Sequence, residues 1–557
     1  MPKPTPPYRE PPPTAGPPPY RELPPTAGLP PSLADYPRRP AEPFAAALSR
    51  RFGLPEPILA CSGTAALVVA LVAFARRSPG RREVIVPAYT CPLVPLAVSL
   101  ASRIIASAPH VGTSASRPGG SAFQAGDPAP ESGGSAFQAD NPASGLRAVV
   151  CDTRPGGFDF DADRLQSLCG ADTLAIIPTH LGGRVADVET AMDAAGRCGA
   201  YVIEDAAQAL GALAGSGQSV DSRGNGQSAG PQGSGQSIGP AGSGQSVGLR
   251  GDAGFFSLAA GKGLSTFEGG LLVSRDAGLR AHLVAAAREI LRPRPLWALR
   301  RNVELLAYTL LYNPRGLRFA YGRPLRQKLD AGDEAGAVGD RFSLADISLH
   351  GLDAVRRRVA ANAVARLPDF LEAGRSRAMQ RIKRLNDLPG VTVITDAPGK
   401  CGPGDTPGAS AIADAPGMAA PGDAPGASAI ADAPGGRGVW PFFMLLMPDR
   451  PRRDEALRRL WRKGLGVSKL FARALPDYDF LAPVLAPAND AGRNRDSSPG
   501  GHDCSGAHDC SGARGPAGGH DCPNARDLAG RMLTISNTHW MSDAEFSRIV
   551  TELEMSL

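Results

Sequence analysis

Lysine is nearly missing from this chain. Of 60 basic residues in 557, seven are lysine, at positions 3, 262, 328, 383, 400, 463 and 469, and the rest are arginine. Aromatic residues are also sparse, at 6%. None is interleaved with arginine runs such as Arg356-Arg-Arg358, so the stacking platform of a single-strand binder is lacking and no nucleic-acid partner is expected. The formal charge of +6 is small for this length and says little about partners. Uninterrupted apolar runs of membrane-spanning length are missing too. Ile58–Ala75 contains Cys-Ser-Gly-Thr, and Val84–Ser102 contains Pro87, Pro92 and Pro95. Both read as buried elements, and no membrane partner is expected. The N-terminus is Pro-rich without an apolar core, so an export signal is not expected. Nine cysteines form no regular framework, which suits a reducing cytoplasm.

Repetition is abundant. Pro-Pro-Tyr-Arg-Glu occurs twice within residues 1–35, each time followed by Pro-Pro-Thr-Ala-Gly. Gly-Gly-Ser-Ala-Phe-Gln-Ala occurs at 119–125 and 133–139, Gly-Gln-Ser recurs between 217 and 246, and an eleven-residue unit occurs at 407–417 and 425–435. His-Asp-Cys appears at 502, 508 and 520. These blocks hold too few large apolar residues to offset the entropy of ordering. Cys and His suit zinc, but no apolar frame fixes the triplets in space, and no metal site is expected.

Setting the blocks aside leaves about 370 residues, enough for one large and one smaller domain. The expected organisation is a disordered tail over 1–35 and a large domain over 36–295 with insertions at 111–146 and 214–249. Linker helices and a small C-terminal domain follow over 296–557, with insertions at 396–437 and 487–523. Within the large domain, strand-like runs (Glu83–Pro87, Ala148–Asp152, Leu174–Pro178, Tyr201–Asp205, Gly254–Leu258, Gly270–Ser274) alternate with helical ones (Ala65–Arg76, Pro92–Ala101, Asp161–Cys169, Val185–Cys198, Ala277–Ile290). That alternation predicts an α/β fold with a mainly parallel sheet between helices. Past residue 436, Val439–Met447, a helix near Arg453–Lys463, Arg531–Ser536 and a helix over Ser542–Met555 predict a smaller α+β unit.

Three motifs bear chemistry. Cys61-Ser-Gly-Thr-Ala-Ala-Leu67 opens an apolar helix; its small residues suit either an anion site or an ordinary N-cap at Ser62 or Thr64. Tyr201-Val-Ile-Glu-Asp205 is an apolar strand ending in two carboxylates at the sheet edge where α/β proteins bind ligands. Strand alternation allows only one of the two to reach a ligand. The third motif runs Phe255-Phe-Ser-Leu-Ala-Ala-Gly-Lys-Gly263 and on to Glu268-Gly-Gly270. A lysine between glycines past an apolar strand is poorly placed as a surface charge, and a desolvated amine is the nucleophile that aldehyde cofactors require. Phosphate-loop spacing is absent.

In this order the motifs resemble the DegT/DnrJ/StrS family of fold-type-I sugar aminotransferases, which use pyridoxal 5'-phosphate (PLP). The likeness extends through Glu83-Val-Ile-Val-Pro-Ala-Tyr-Thr90, Cys151-Asp-Thr153 and Pro178-Thr-His-Leu-Gly182, and covers about 44–295. The resemblance implies that Lys262 forms the Schiff base with PLP and that Asp205 pairs with the pyridinium nitrogen. Gln208 is implied near the ring oxygen, and Gly63, Thr64 and Ser257 at the phosphate. It also implies a homodimer that moves an amino group, from glutamate, to a keto group of a nucleotide-linked deoxysugar for polysaccharide or cell-surface glycan synthesis. Two positions depart from the family pattern. Cys91 stands where an aromatic residue usually stacks on the ring, so the resemblance implies stacking that is weaker or supplied by Tyr89. The Gly-x-Asn-x-Arg motif is not recognisable near Arg341-Phe-Ser343. Two alternatives remain open: a PLP enzyme acting on a non-nucleotide acceptor, and a non-catalytic regulatory or scaffold relative.

Overall fold

The computed structural model describes residues 21–107, 145–215, 244–395, 436–486 and 521–557. The interiors of the four expected insertions, with most of the repeats, lie outside the described residues.

The large domain contributes strands β1 (Ile58–Ala60), β2 (Glu83–Pro87), β3 (Arg147–Cys151), β4 (Thr173–Ile176) and β5 (Tyr201–Asp205). After these come β6 (Leu213–Ala214), β7 (Gln245–Ser246), β8 (Ala253–Ser257) and β9 (Gly270–Val273). Seven of them form one sheet in the order β1-β9-β8-β5-β4-β2-β3. The run from β8 to β3 is parallel, whereas β9 lies antiparallel to both β8 and β1. The exception has a simple cause. The stretch joining β8 to β9 carries Lys262 and has no helix of its own, and a parallel return needs a long crossover.

Helices cover the sheet: α1 (Phe44–Phe52), α2 (Gly63–Arg77), α3 (Leu93–Ser107), α4 (Ala162–Leu168), α5 (Val188–Cys198) and α6 (Ala277–Ile290); α7 (Pro295–Leu311) follows and buries only Leu305. Helix α2 is buried from Ala65 through Ala75 because it lies on β8 and β9 with α3 and α6 against its other sides. A helix apolar all round is thereby explained as a core element. No helix among the described residues is long and apolar enough to cross a membrane.

Strands β10 (Thr392–Val393), β11 (Gly436–Arg437), β12 (Phe442–Leu446), β13 (Val467–Ser468) and β14 (Met532–Ser536) follow. Four of them make an antiparallel sheet, β10-β12-β14-β13, the core of the smaller unit. Strand β11 instead pairs with β6, which pairs with β7, and ties this region to the large domain.

Two expectations need correction. Residues 21–35, read as part of a disordered tail, are packed: Glu22, Leu23, Ala27, Leu29 and Asp35 are all buried. Their N–H groups are satisfied by distant backbone, Leu23 donating to Gly464 O, Ala27 to Pro441 O and Leu29 to Gly263 O. All of these but Asp35 belong to the second Pro-Tyr-Arg-Glu repeat, where Leu23 and Leu29 stand in place of Pro11 and Pro17 of the first. Each leucine brings a buried side chain and a donor that proline lacks. Likewise Val247 and Leu249, assigned to the second insertion, are buried beside β7.

Candidate active site

Strand alternation sends the two carboxylates at the end of β5 to opposite faces. Glu204 is fully buried. It accepts the N–H groups of Gly248, Arg250 and Gly251 at 2.8, 2.6 and 2.7 Å and meets His180 Nε2 at 2.9 Å. Because His180 Nδ1 accepts the Ala186 N–H at 3.0 Å, the ring proton sits on Nε2 and is donated to Glu204. Burial alone raises a carboxyl pKa, but His180 and the loop N–H groups hold Glu204 below its ordinary range. All of these partners are internal, so Glu204 fixes the 248–251 loop that leads into β8.

Asp205 faces the other way. It is 5% exposed, and its Oδ1 accepts the Ala207 N–H at 3.0 Å. Burial pushes its pKa up, against the opposing pull of Lys262 and His180. Burial pushes the Lys262 amine down, against the pull of Cys91 and Asp205. Lys262, Asp205 and Cys91 are thus electrostatic neighbours at the carboxyl end of the parallel strands, where open α/β sheets bind ligands. A lowered amine pKa enlarges the neutral, nucleophilic fraction.

The lysine loop is shaped by close approaches. Gly261 has φ +77, and a Cβ there would lie 2.2 Å from Thr26 Oγ1. A Cβ on Gly28 would lie 2.4 Å from Lys262 O. The ordered N-terminal segment therefore packs directly on the Lys262 backbone, and only glycine permits the contact.

The first motif forms the N-cap that one of its two readings calls for. Ser62 caps α2, its Oγ accepting the Ala65 N–H at 3.0 Å. Gly63 and Thr64 form the first turn, and a Cβ on Gly63 would lie 3.2 Å from Ser257 Cβ. Gly63 and Ser257 thus converge, with Ser257 Oγ accepting the Ala259 N–H at 3.3 Å. The Glu-Gly-Gly signature has a steric reason, since a Cβ on Gly270 would lie 2.1 Å from Ser62 O. Thr64 is half-buried on that turn. Gln208 accepts the Gly182 N–H at 2.6 Å and borders a small cleft with Gly263, Arg377, Trp440 and Asn537.

The donor set suits PLP: a helix N-terminus with an adjoining serine for a phosphate, a desolvated amine for an aldehyde, and a buried acid for a ring N–H. A larger surface depression lined by Ala73, Arg76 and His282 lies at the far end of α2 and contains none of these groups.

The two departures from the family pattern are resolved in different ways. Tyr89 is 1% exposed, stacks on Phe158 at 5.9 Å and packs edge-on against Phe471 at 5.5 Å. Its hydroxyl meets the Phe471 backbone, so it is a core residue, whereas Cys91 lies within electrostatic range of Lys262. Arg341 is exposed and pairs with Asp333 at 3.1 Å, and Ser343 heads a short turn capped with Asp346. The residue before them was not anticipated. Asp340 is buried, accepts Ala472 N–H and Tyr478 OH, both at 2.7 Å, and lies within electrostatic range of Cys91. No local pattern marks it, because its partners are more than a hundred residues away.

The model of the DegT/DnrJ/EryC1/StrS aminotransferase family matches residues 142–289. GDP-perosamine synthase of Caulobacter vibrioides is 41% identical over 68 residues, 12% of this chain and 18% of that protein. The pleiotropic regulatory protein of Geobacillus stearothermophilus is 44% identical over 69 residues, again 12% and 18%. The matched stretch is therefore under a fifth of the length of these curated relatives. Among solved structures, Spr1654 from Streptococcus pneumoniae in its PLP form aligns with a TM-score of 0.52 at 13% identity. That alignment covers 96% of this chain and 98% of the other, and shows a shared fold. Residues 142–289, which carry Asp205, Ser257 and Lys262, are thus similar to the DegT/DnrJ/EryC1/StrS aminotransferase family.

Proposed function

We propose that this protein is a PLP-dependent aminotransferase that passes an amino group from glutamate to a keto group of a nucleotide-linked deoxysugar, in the cytoplasm, for glycan synthesis. The observation that carries the reading is the half-buried Lys262 within electrostatic range of the buried Asp205, with Gly63 and Ser257 converging at the start of α2. PLP, when bound, supplies an aldehyde and an electron-withdrawing ring. The first turn of α2 and Ser257 would hold its phosphate, and Asp205 would hold the ring N–H. A cation beside Asp205 would reverse the upward push of burial on its pKa and keep it ionised. The Lys262 amine, freed during turnover, would take and return the proton that moves between substrate carbon and nitrogen. Burial lowers the pKa of that amine, which favours the neutral form a base needs. The Glu204 network keeps the end of β5 in place while these events occur on its other face.

Purified protein is expected to absorb in the visible range with bound cofactor, and to aminate one of a panel of keto-sugar nucleotides with glutamate as donor. Lys262→Ala should remove the band and lower turnover by about 10³-fold. An unchanged band in that variant would sink the assignment. Activity only with acceptors lacking a nucleotide would move the substrate class and leave the chemistry.

A second reading is supported by the second curated relative, a pleiotropic regulatory protein matched over a stretch of nearly equal length and identity. It predicts bound cofactor without turnover on any acceptor in the panel. A homodimer is supported by an unpartnered seam on α7. Leu296, Leu299, Val303, Leu306 and Leu310 are all exposed at alternating spacings of three and four, the pattern of a helix that packs on another. Light scattering coupled to gel filtration tests it, and a monomeric mass would refute it.

A further inference from the structure

Outside the Lys262 site, three potential ligands from segments remote in sequence converge behind the first turn of α2. Cys61 directly follows β1, Glu268 lies in the turn before β9, and His350 lies on the segment that runs beside β1. Cys61 is fully buried and His350 is 2% exposed. One ligand atom from each, the Cys61 Sγ, a Glu268 carboxylate oxygen and a His350 ring nitrogen, all lie within 4.8 Å of one another.

The histidine is the telling member. Its Nδ1 lies 2.9 Å from the Gly351 carbonyl oxygen, which only accepts, so the ring proton is on Nδ1. Nε2 therefore carries a bare lone pair. It is buried and has no hydrogen-bond partner, and its distance to Glu268 Oε1, 3.9 Å, exceeds hydrogen-bond reach. An unpaired acceptor in the interior is costly and calls for an occupant. Two guanidiniums already sit at the same carboxylate: Glu268 Oε2 is 2.7 Å from Arg356 Nη1 and 3.3 Å from Arg301 Nε. Fixing a ligating histidine through Nδ1–H to a backbone carbonyl is the usual outer-shell device of metal sites.

We propose that Cys61, Glu268 and His350 bind a divalent cation of the zinc class. Thiolate, imidazole and carboxylate together suit a borderline-soft metal and not magnesium or calcium. The charges balance around it. Arg356 is matched by Asp353 and Arg301 by Glu304, which leaves Glu268 and the Cys61 thiolate to neutralise the dication. Cys61 Sγ now donates to Ser348 O at 3.0 Å. Binding replaces the S–H bond by a sulfur–metal bond and releases that proton to solvent, with no change of oxidation state. Metal–ligand bonds of about 2.0–2.3 Å require the three side chains to close by roughly 1 Å. The fourth position is left for water. The ion would clamp β1, the turn before β9 and the 348–351 segment together behind the Ser62-Gly63 turn, so its role is structural.

The full-length protein, stripped with chelator and gel-filtered, is to be loaded with Zn²⁺ or Co²⁺ and compared with Cys61→Ser and His350→Gln. The parent should retain one more metal per chain than either variant. Co²⁺ should give a thiolate charge-transfer band that both variants lack, and Zn²⁺ should raise the Tm of the parent alone. Glu268→Gln should weaken binding by at least about tenfold. The His-Asp-Cys copies are present in parent and variants alike, so the difference isolates this site. Equal metal content in parent and variants, or an unmoved Tm, overturns the proposal. If a variant fails to fold, the parent sequence carrying Cys504→Ser, Cys510→Ser and Cys522→Ser decides: a persistent cobalt–thiolate band supports the site and its absence overturns it.

Discussion

Glu204 and Asp205 are consecutive residues on one strand, both buried, yet their surroundings oppose each other. On one face Glu204 is saturated by three backbone N–H groups and His180. On the other, Asp205 has one backbone donor, and burial lifts its pKa. A carboxylate whose acceptor sites are filled from within is part of the scaffold. One left short of donors in a low-dielectric cleft is held ready for a charged ligand.

Exchanging each acid for its amide gives the largest expected contrast. Asp205→Asn should leave the fold intact and lower turnover by roughly 10²-fold, because a neutral amide cannot hold a ring N–H cation. Glu204→Gln should cost about 3 kcal/mol of stability, since an amide NH2 group is forced against backbone donors in a buried site. The folded fraction of that variant should keep its cofactor band. Glu204 has a depressed pKa in the folded state, so its contribution is present above the unfolded pKa and fades as pH falls through the folded one. The penalty of the amide should therefore shrink in acid. Thermal melts and single-turnover rates for the pair decide the matter, and a reversed pattern would break the division of labour.

Asp340 sharpens the comparison as an intermediate case. It has two neutral donors and no cation, and burial pushes its pKa up to about 6. The folded pKa exceeds the unfolded one, so stability falls as pH rises from about 4 to about 6 and is flat above that. Asp340→Asn keeps an acceptor for Ala472 and Tyr478 without the charge. It should raise Tm at pH 7–8, by up to about 3 kcal/mol in stability, with no gain near pH 4. A gain independent of pH would refute the electrostatic cause.

The smallest effect concerns the lysine loop from its N-terminal side. Leu23→Pro, which copies the first repeat into the second, should cost about 2 kcal/mol by removing a buried side chain and a backbone donor. It should also make the 21–29 segment more sensitive to protease. Unchanged proteolysis would mean that the packing of Thr26 and Gly28 on the Lys262 loop does not depend on Leu23.

Much of this was legible in the sequence. Strands β2 and β5 and helix α6 begin and end where periodicity places them, because each is a short-range pattern of buried and exposed positions. The rarity of lysine and its glycine flanks singled out Lys262, and strand alternation alone divided Glu204 from Asp205. Other features had no local signal. The antiparallel turn of β9, the burial of Tyr89, and the Cys61–Glu268–His350 cluster each depend on contacts between residues far apart in the chain. The docking of Leu23 and Leu29 was hidden by the proline-rich composition around them. Composition and period report what a segment can bury by itself, and so they determined the elements, the sheet edge and the candidate nucleophile. Which acid is saturated, which histidine is left with an open lone pair, and which copy of a repeat is packed were decided only by tertiary structure, because hydrogen-bond satisfaction is settled by neighbours in space.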